Sequence, residues 1–204
     1  MAARIRRKTL AFFDVDTQRD FMNPRGALYV PGARMIARKV RSLVAHARVV
    51  GIRLFGSVDA HVEDDPEMKL FPHHCIVGTP GQEKIPGTLL EDHVFVGLRP
   101  RLSAARVREV LAHHQIIFEK RSYDAFDNRN TAPVLKAAGA KRYVVFGVAT
   151  DYCVRAAVLG LLRRGYEVTV VEDAIRGVAP DTTEKALDEM RAAGAKFKPL
   201  EKIL

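Results

Sequence analysis

One of the two cysteines, Cys153, stands where a nucleophile could be activated. It follows residues 147–152 (GVATDY), which we interpret as a strand end, a tight turn and a helix start with Thr150 or Asp151 as the cap. In the first turn of a helix, unpaired N–H groups and the positive end of the helix dipole favour a thiolate, and the same N–H groups can hold a developing oxyanion. This segment alone fits equally well a small residue that packs the helix against a sheet.

Two further residues could complete a cysteine amidase. Asp16 and Lys120 each end an apolar run that is typical of a buried strand. Asp16 could take the thiol proton and return it to leaving ammonia, while Lys120 could stabilise the thiolate and the carboxylate together. Singly, Asp16 also fits a loop cap and Lys120 a surface charge; together at one sheet edge they indicate a catalytic set with Cys153.

Asp14 complicates this interpretation, because it stands two residues before Asp16 and a strand would point both side chains to the same face. If both carboxylates are buried, their repulsion should raise the pKa of one of them. Asp14 could instead bind loop backbone or a basic side chain, and the sequence leaves its role open.

The long aperiodic stretch at residues 59–92 contains a set of possible metal ligands. Asp59 and His61 end the second predicted strand and point to one face, and Glu67 and His74 follow in the same loop. Two imidazoles and two carboxylates suit zinc, iron or manganese, with positions left for water and substrate. A solvated polar loop is the alternative, and the loop also holds competing ligands, namely Glu63, Asp64, Asp65, His73 and Cys75.

Strands and helices alternate along the chain. The apolar patterns predict strands at 10–16, 52–58, 94–97, 116–119, 142–148 and 166–171, with an edge strand at 195–200. They predict helices at 32–49, 102–114, 131–139, 151–164 and 181–193. We therefore expect one α/β domain over residues 1–204, a three-layer αβα sandwich with a mostly parallel central sheet. Ligand sites of such sheets lie beyond the carboxyl ends of the strands. Asp16, Asp59, Lys120 and the segment before Cys153 all lie at such ends.

Composition excludes several other classes of protein. The net charge is +9, but only Arg4, Arg6, Arg7 and Lys8 form a dense basic cluster, so we expect a solvated surface and no nucleic-acid partner. The apolar runs are too short for a membrane span and the N-terminal apolar patch is too short for a secretory leader. Two cysteines cannot form a disulfide framework, and we expect a cytoplasmic protein.

From about residue 10 to the last predicted helix, the chain resembles the nicotinamidases within the isochorismatase-like cysteine hydrolases. The motifs that carry the resemblance are DTQRDF at residues 16–21, DAH at residues 59–61, EKR at residues 119–121 and GVATDYCV at residues 147–154. A later histidine before a cysteine, His74 before Cys75, matches the metal loop of that family.

The resemblance implies roles for these residues. Asp16 would be the base, Lys120 the catalytic lysine and Cys153 the nucleophile. The N–H groups of Ala149 and Cys153 would form the oxyanion hole, with a cis peptide bond before Ala149. One divalent metal, zinc with iron or manganese as alternatives, would be held by a ligand set of Asp59, His61, Glu67 and His74.

The resemblance also implies a substrate and an assembly. Nicotinamide, or a similar aromatic amide, would lie between Phe21 and Phe71, with Tyr123 in the aromatic segment beside them. It would be hydrolysed to nicotinate and ammonia through a thioester, within NAD metabolism, by a dimer or tetramer. Two rivals stay open: a metal-free isochorismatase-like hydrolase acting on another small amide, and a non-catalytic binding protein on the same fold.

Overall fold

A seven-stranded sheet forms the centre of the computed structural model, which describes residues 9–204. Its strands are β1 (Leu10–Val15), β2 (Arg53–Asp59), β3 (His93–Val96), β4 (Gln115–Lys120), β5 (Arg142–Val148), β6 (Glu167–Arg176) and β7 (Lys196–Lys198). They lie in the order β3-β4-β2-β1-β5-β6-β7, and every neighbouring pair is parallel. The predicted parallel sheet is confirmed.

Helices cover both faces of this sheet. They are α1 (Arg19–Met22), α2 (Ala33–Val50), α3 (Ala104–Val110), α4 (Thr131–Ala138), α5 (Arg155–Leu162) and α6 (Pro180–Ala192), with short 3-10 turns at Pro66–Lys69, Ala125–Asp127 and Leu200–Lys202. Side chains of α2 pack with Phe12 in one apolar cluster, whereas side chains of α3 to α6 pack with Phe13 and Val15 in another. This alternation along β1 gives the predicted three-layer αβα sandwich.

Several element boundaries differ from the predicted ones. The strand predicted at 166–171 continues to Arg176, because β6 resumes its pairing with β5 after a register shift, with Gly147 opposite Ile175. The charges of Glu172 and Asp173 concealed this continuation in the sequence. The helix predicted at 151–164 begins only at Arg155, after a π-helical turn at Thr150–Val154.

Two expectations concern the surface and the membrane. The basic cluster Arg4, Arg6, Arg7 and Lys8 lies outside the described residues. No helix within residues 9–204 combines the length and the apolar character that a membrane span requires.

Gly147 determines how closely β5 approaches β1 just before the turn that carries Cys153. Its φ of 121° is unfavourable for a side chain, and an added Cβ would overlap the carbonyl oxygen of Val15. We expect Gly147→Ala to lower the free energy of unfolding by about 3 kcal/mol. Gly139→Ala is the matched control, because φ there is 74° but a Cβ would meet no atom within 4 Å, and it should cost only about 1 kcal/mol. Urea unfolding of the two variants measures both values; equal losses would contradict the steric argument.

Candidate active site

The carboxyl ends of four adjacent strands bring the predicted catalytic residues together. Lys120 ends β4 and lies in register with Asp59 at the end of β2, while Asp16 follows β1 and Cys153 follows β5. Because β4, β2, β1 and β5 are neighbours in the sheet, their ends meet at one edge. All four of these side chains are buried.

Lys120 is the centre of this group. Its Nζ lies 2.9 Å from Asp16 Oδ2, forms an ion pair with Asp59 Oδ1, donates to the Ser122 carbonyl at 2.9 Å and lies 3.4 Å from Cys153 Sγ. The side chain is 1% exposed. Burial alone would lower the pKa of Lys120, but the Asp16 and Asp59 carboxylates raise it well above its usual range, so the ammonium stays charged.

The two carboxylates beside Lys120 are driven apart in pKa by their surroundings. Burial and the neighbouring Asp59 raise the pKa of Asp16, despite Lys120 and a 2.7 Å hydrogen bond from Ser57 Oγ. Burial also acts on Asp59, but there Lys120 and His61 outweigh it and lower the pKa. Asp16 is therefore suited to exchange a proton, and Asp59 to remain an ionised ligand.

Cys153 corrects two expectations from the sequence. It lies in the π-helical turn before α5, not in the first turn of a capped helix, and no side chain caps that turn. Asp151 instead accepts hydrogen bonds from the Val178 and Ala179 N–H groups at the start of α6. Burial, together with Asp16 and Asp59, raises the pKa of the Cys153 thiol well above its usual range despite the opposing effect of Lys120, so these surroundings do not favour the thiolate that the sequence led us to expect.

The turn that carries Cys153 has the backbone expected beside an oxyanion site. The peptide bond between Val148 and Ala149 is cis, and the Ala149 carbonyl accepts from the N–H groups of Tyr152 and Val154 at 3.1 and 3.0 Å. Ala149 and Cys153 both line the cavity at this sheet edge. Their role as oxyanion donors stays a prediction.

Three of the four predicted metal ligands converge beside Lys120. The candidate ligand atoms of Asp59, His61 and His74 lie within 4.8 Å of one another. Asp59 Oδ2 is 3.7 Å from His61 Nε2 and 4.0 Å from His74 Nε2. Glu67 lies at the margin of this group, with Oε2 4.0 Å from His61 Nε2.

The surroundings of these side chains fit a bound cation. Nδ1 of His61 pairs with Asp65 at 3.0 Å and Nδ1 of His74 with the Pro72 carbonyl at 2.8 Å, so each ring presents Nε2 to the other ligands. His61 Nε2 is buried and has no hydrogen-bond partner. Burial lowers the pKa of His74, which favours the neutral imidazole that a metal binds.

The competing ligands of the loop lie elsewhere. His73 and Glu63 form an exposed pair at 2.7 Å, and Asp64 is exposed. Asp65 orients His61 from behind. Glu67 is thus the acidic side chain among the alternatives that faces the ligand group, and burial followed by the nearby Asp59 raises its pKa.

An apolar cavity opens above the catalytic group. It is lined by the predicted substrate residues Phe21, Phe71 and Tyr123, by the site residues Asp59, Glu67, His74, Ala149 and Cys153, and by Leu28, Val30, Val148, Tyr152 and Val178. Phe21 and Phe71 flank His74, with ring centroids 5.5 and 6.5 Å from its ring. Tyr123 lies 5.2 Å from the ring of Tyr152.

Sequence reasoning missed several residues that shape the site. Gln18 accepts from the Asp59 N–H at 2.7 Å and donates to its carbonyl at 2.8 Å, and Asp20 accepts from the Cys75 N–H at 2.8 Å. Both lie in the DTQRDF motif, so their placement beside Asp16 was a usable signal. Tyr152 directly precedes Cys153 and could have been found the same way. No local pattern pointed to Ser57 or to the contact between Asp14 and Lys84 at 2.9 Å.

Comparison with known proteins identifies similar sequences and folds. An Isochorismatase domain family matches residues 103–201. The chain is 32% identical to a nicotinamidase of Escherichia coli, over 89% of this chain and 90% of that protein. It is 29% identical to a nicotinamidase/pyrazinamidase of Mycobacterium tuberculosis, over 92% and 97% of the two chains. A relative in Arabidopsis thaliana, 25% identical over 95% of this chain and 93% of its own length, is described as a probable inactive nicotinamidase.

A solved structure extends the similarity to the fold. The pyrazinamidase of Pyrococcus horikoshii in complex with zinc superposes with a TM-score of 0.76 at 31% identity, over 94% of this chain and 99% of that one. This chain has its own group of Asp59, His61 and His74 that could hold a metal ion.

Removal of one imidazole should abolish metal binding. We expect His61→Ala to reduce zinc retained after loading and desalting from about one ion per chain to a small fraction, because a buried nitrogen ligand is lost. His73→Ala is the control: it removes an exposed histidine of the same loop and should retain zinc. Elemental analysis of the folded variants measures both, and equal zinc contents would contradict the assigned ligand set.

Proposed function

The chain belongs to the isochorismatase-like hydrolases and is an amidohydrolase, and we propose that it hydrolyses nicotinamide to nicotinate and ammonia with a bound divalent metal. One observation carries this proposal. The Lys120 ammonium contacts Asp16 and Asp59 and lies 3.4 Å from Cys153 Sγ, directly beside a group of potential metal ligands and below an aromatic cavity.

The catalytic cycle uses Asp16 as the proton carrier. Asp16 takes the proton of the Cys153 thiol as the sulfur electron pair attacks the amide carbon. Lys120 lies beside both groups while the proton passes from sulfur to the Asp16 carboxylate and the negative charge passes to the former carbonyl oxygen, so net charge within the buried site does not change.

The tetrahedral intermediate needs donors for its oxygen. The N–H groups of Ala149 and Cys153 would supply them, each contributing about 3–4 kcal/mol to the stability of the transition state. Asp16 returns its proton to the nitrogen, the C–N bond breaks, and ammonia leaves a thioester on Cys153. A water that loses a proton to Asp16 attacks the thioester carbon, the C–S bond breaks, and the departing sulfur takes that proton from Asp16. The product leaves as nicotinate after its carboxylic acid releases a proton to solvent.

Asp59, His61 and His74 would hold the metal, with Glu67 as the further ligand; zinc is our first assignment, and iron or manganese are alternatives. When bound, the metal would supply a Lewis acid for the ring nitrogen of the substrate. Asp59 serves both groups, because Oδ1 pairs with Lys120 while Oδ2 faces the imidazoles. Asp65 keeps the His61 ring in place through Nδ1.

The cavity favours a neutral aromatic amide. Its lining includes Phe21 and Phe71, whose rings both contact the ring of His74, and Tyr123. A pyridine ring would lie between Phe21 and Phe71. No arginine or lysine is among the described residues that line it. A carboxylate elsewhere on a substrate would therefore find no arginine or lysine side chain in the cavity to pair with.

The two rival functions would use the same fold, so only the chemistry of the site distinguishes them from the proposed one. A metal-free hydrolase of another small amide would have no use for the buried, unpartnered His61 Nε2. A non-catalytic binding protein would have no use for a buried lysine between two carboxylates and a thiol, since burial of such charges is costly.

Ammonia release from nicotinamide tests the proposed function. We expect turnover by the purified protein, its loss after chelation, and its return with zinc, iron or manganese, because the ligand group holds the metal beside the cavity. An N-carbamoyl amino acid serves as the carboxylate-bearing comparison and should react far more slowly. Turnover that survives complete removal of metal would favour the metal-free rival. Absence of turnover under every metal, with the protein folded, would contradict nicotinamide as the substrate.

Cys153→Ala should abolish turnover and leave zinc content unchanged, because the nucleophile is lost while the ligand set is intact. We expect a decrease in kcat of at least about 10⁴-fold, comparable with the loss of a nucleophile in other covalent hydrolases. Cys75→Ala is the control, since Cys75 is fully buried in an apolar cluster and should retain activity. Substantial turnover by Cys153→Ala would exclude it as the nucleophile.

A further inference from the structure

A second buried ion pair, between Lys84 and Asp14, lies close to the site but outside the cavity. Lys84 Nζ is 2.9 Å from Asp14 Oδ2, and the two side chains are 1% and 0% exposed. Thr17 closes the network: its hydroxyl donates to Asp14 at 3.1 Å and accepts from Lys84 at 2.8 Å. Neither charge is used in the mechanism above.

A gain in folding stability does not explain why this ion pair is buried. Transfer of an ammonium and a carboxylate from water to a protein interior costs about as much as their attraction returns, and apolar residues of similar size are often as stable. The network is also incomplete, because Asp14 Oδ1 is buried without a hydrogen-bond partner. If this pair has a role beyond balancing its own charges, that role is to fix the geometry of the residues that it joins.

The pair joins two parts of the site. Asp14 and Thr17 flank Asp16 along the chain, whereas Lys84 belongs to the loop at residues 59–92 that carries the candidate metal ligands. Lys84 pairs with Gln18 in an antiparallel bridge, and the Ile85 N–H donates to the Thr17 carbonyl at 2.9 Å. The loop is therefore fixed to the segment on both sides of the proposed base.

Asp16 requires this support. Its φ is 46°, a left-handed conformation that residues other than glycine adopt rarely and keep only where their surroundings impose it. Its own backbone N–H is held by the Ser57 carbonyl at 3.2 Å. Directly after it, Thr17 is held by its hydroxyl and by its carbonyl, and both contacts lead to the segment at Lys84.

We propose that Lys84 and Asp14 form a positioning pair that keeps the Asp16 carboxylate in line with Lys120 and the Cys153 thiol. This rests on the proposed function, in which Asp16 carries the proton. The pair touches no substrate atom, so it acts on the rate through the position of Asp16 and leaves the aromatic cavity unchanged.

A double-mutant cycle tests the pair, with Lys84→Met, Asp14→Leu and the double variant. Each single variant leaves one buried charge unpaired and should lower Tm by about 10 °C. The double variant should regain most of that Tm. In all three, we expect kcat for nicotinamide to fall at least tenfold with KM within about threefold of the wild type, because geometry and not binding is lost. Lys84→Arg keeps the charge and should recover part of kcat.

The control is Glu83→Gln, which removes the exposed ion pair of Glu83 with Arg19 at 2.8 Å from the adjacent loop residue. It should leave kcat, KM and Tm unchanged. A double variant with wild-type kcat would overturn the proposal, because the pair would then serve only its own charge balance. A single variant with wild-type kcat, or a loss that falls on KM and zinc content instead of kcat, would overturn it as well.

The rate at which iodoacetamide alkylates Cys153 separates this proposal from the proposed function. That rate needs no nicotinamide, and peptide mass mapping distinguishes Cys153 from the buried Cys75. We expect at least fivefold slower alkylation in the three variants, even if nicotinamide proves not to be the substrate. Unchanged alkylation in folded variants would overturn the positioning role, whatever the substrate.

Discussion

The site depends on one buried ammonium. Lys120 has almost no contact with water, so its charge can persist only if carboxylates surround it. Two carboxylates, those of Asp16 and Asp59, come from the ends of neighbouring strands. They lie beside Lys120 because β4, β2 and β1 are adjacent and parallel. The thiol of Cys153 joins from β5, the next strand along. The arrangement is thus a consequence of the sheet. Four parallel strands end at one edge and bring together the Lys120 ammonium, the two carboxylates and the Cys153 thiol.

Asp59 links Lys120 to the imidazoles of the candidate metal ligands. Its Oδ1 neutralises Lys120 and its Oδ2 faces His61 and His74, so a cation beside the imidazoles and the ammonium share one negative charge. Both carboxylates are buried, but Lys120 and His61 together lower the pKa of Asp59, whereas the nearby Asp59 adds to the effect of burial in raising the pKa of Asp16.

The residues at strand ends could be predicted from the sequence, because apolar runs mark buried strands and parallel strands share a carboxyl edge. Asp16, Asp59, Lys120 and Cys153 were found this way, and the helix periods gave the layers. The wrong predictions concern structure that depends on contacts and not on the pattern of residue types. The turn around Cys153 is set by a bond from the Val154 N–H to the Ala149 carbonyl, which no residue pattern encodes. The assignments that remained open, such as Asp14, were settled by contacts between residues distant in the chain.

The loop at residues 59–92 shows how a site can be rigid without periodic structure. It contains only one short 3-10 turn, yet side chains hold it at intervals. The buried Gln18 holds both polar groups of the Asp59 backbone, and the half-buried Asp20 holds the Cys75 N–H next to His74, a predicted metal ligand. Gly81 has no side chain where the Asp20 carboxylate passes. Each of these clamps comes from the segment that follows β1, which also carries Asp16. The segment that carries the proposed base therefore also holds the loop that carries the candidate metal ligands.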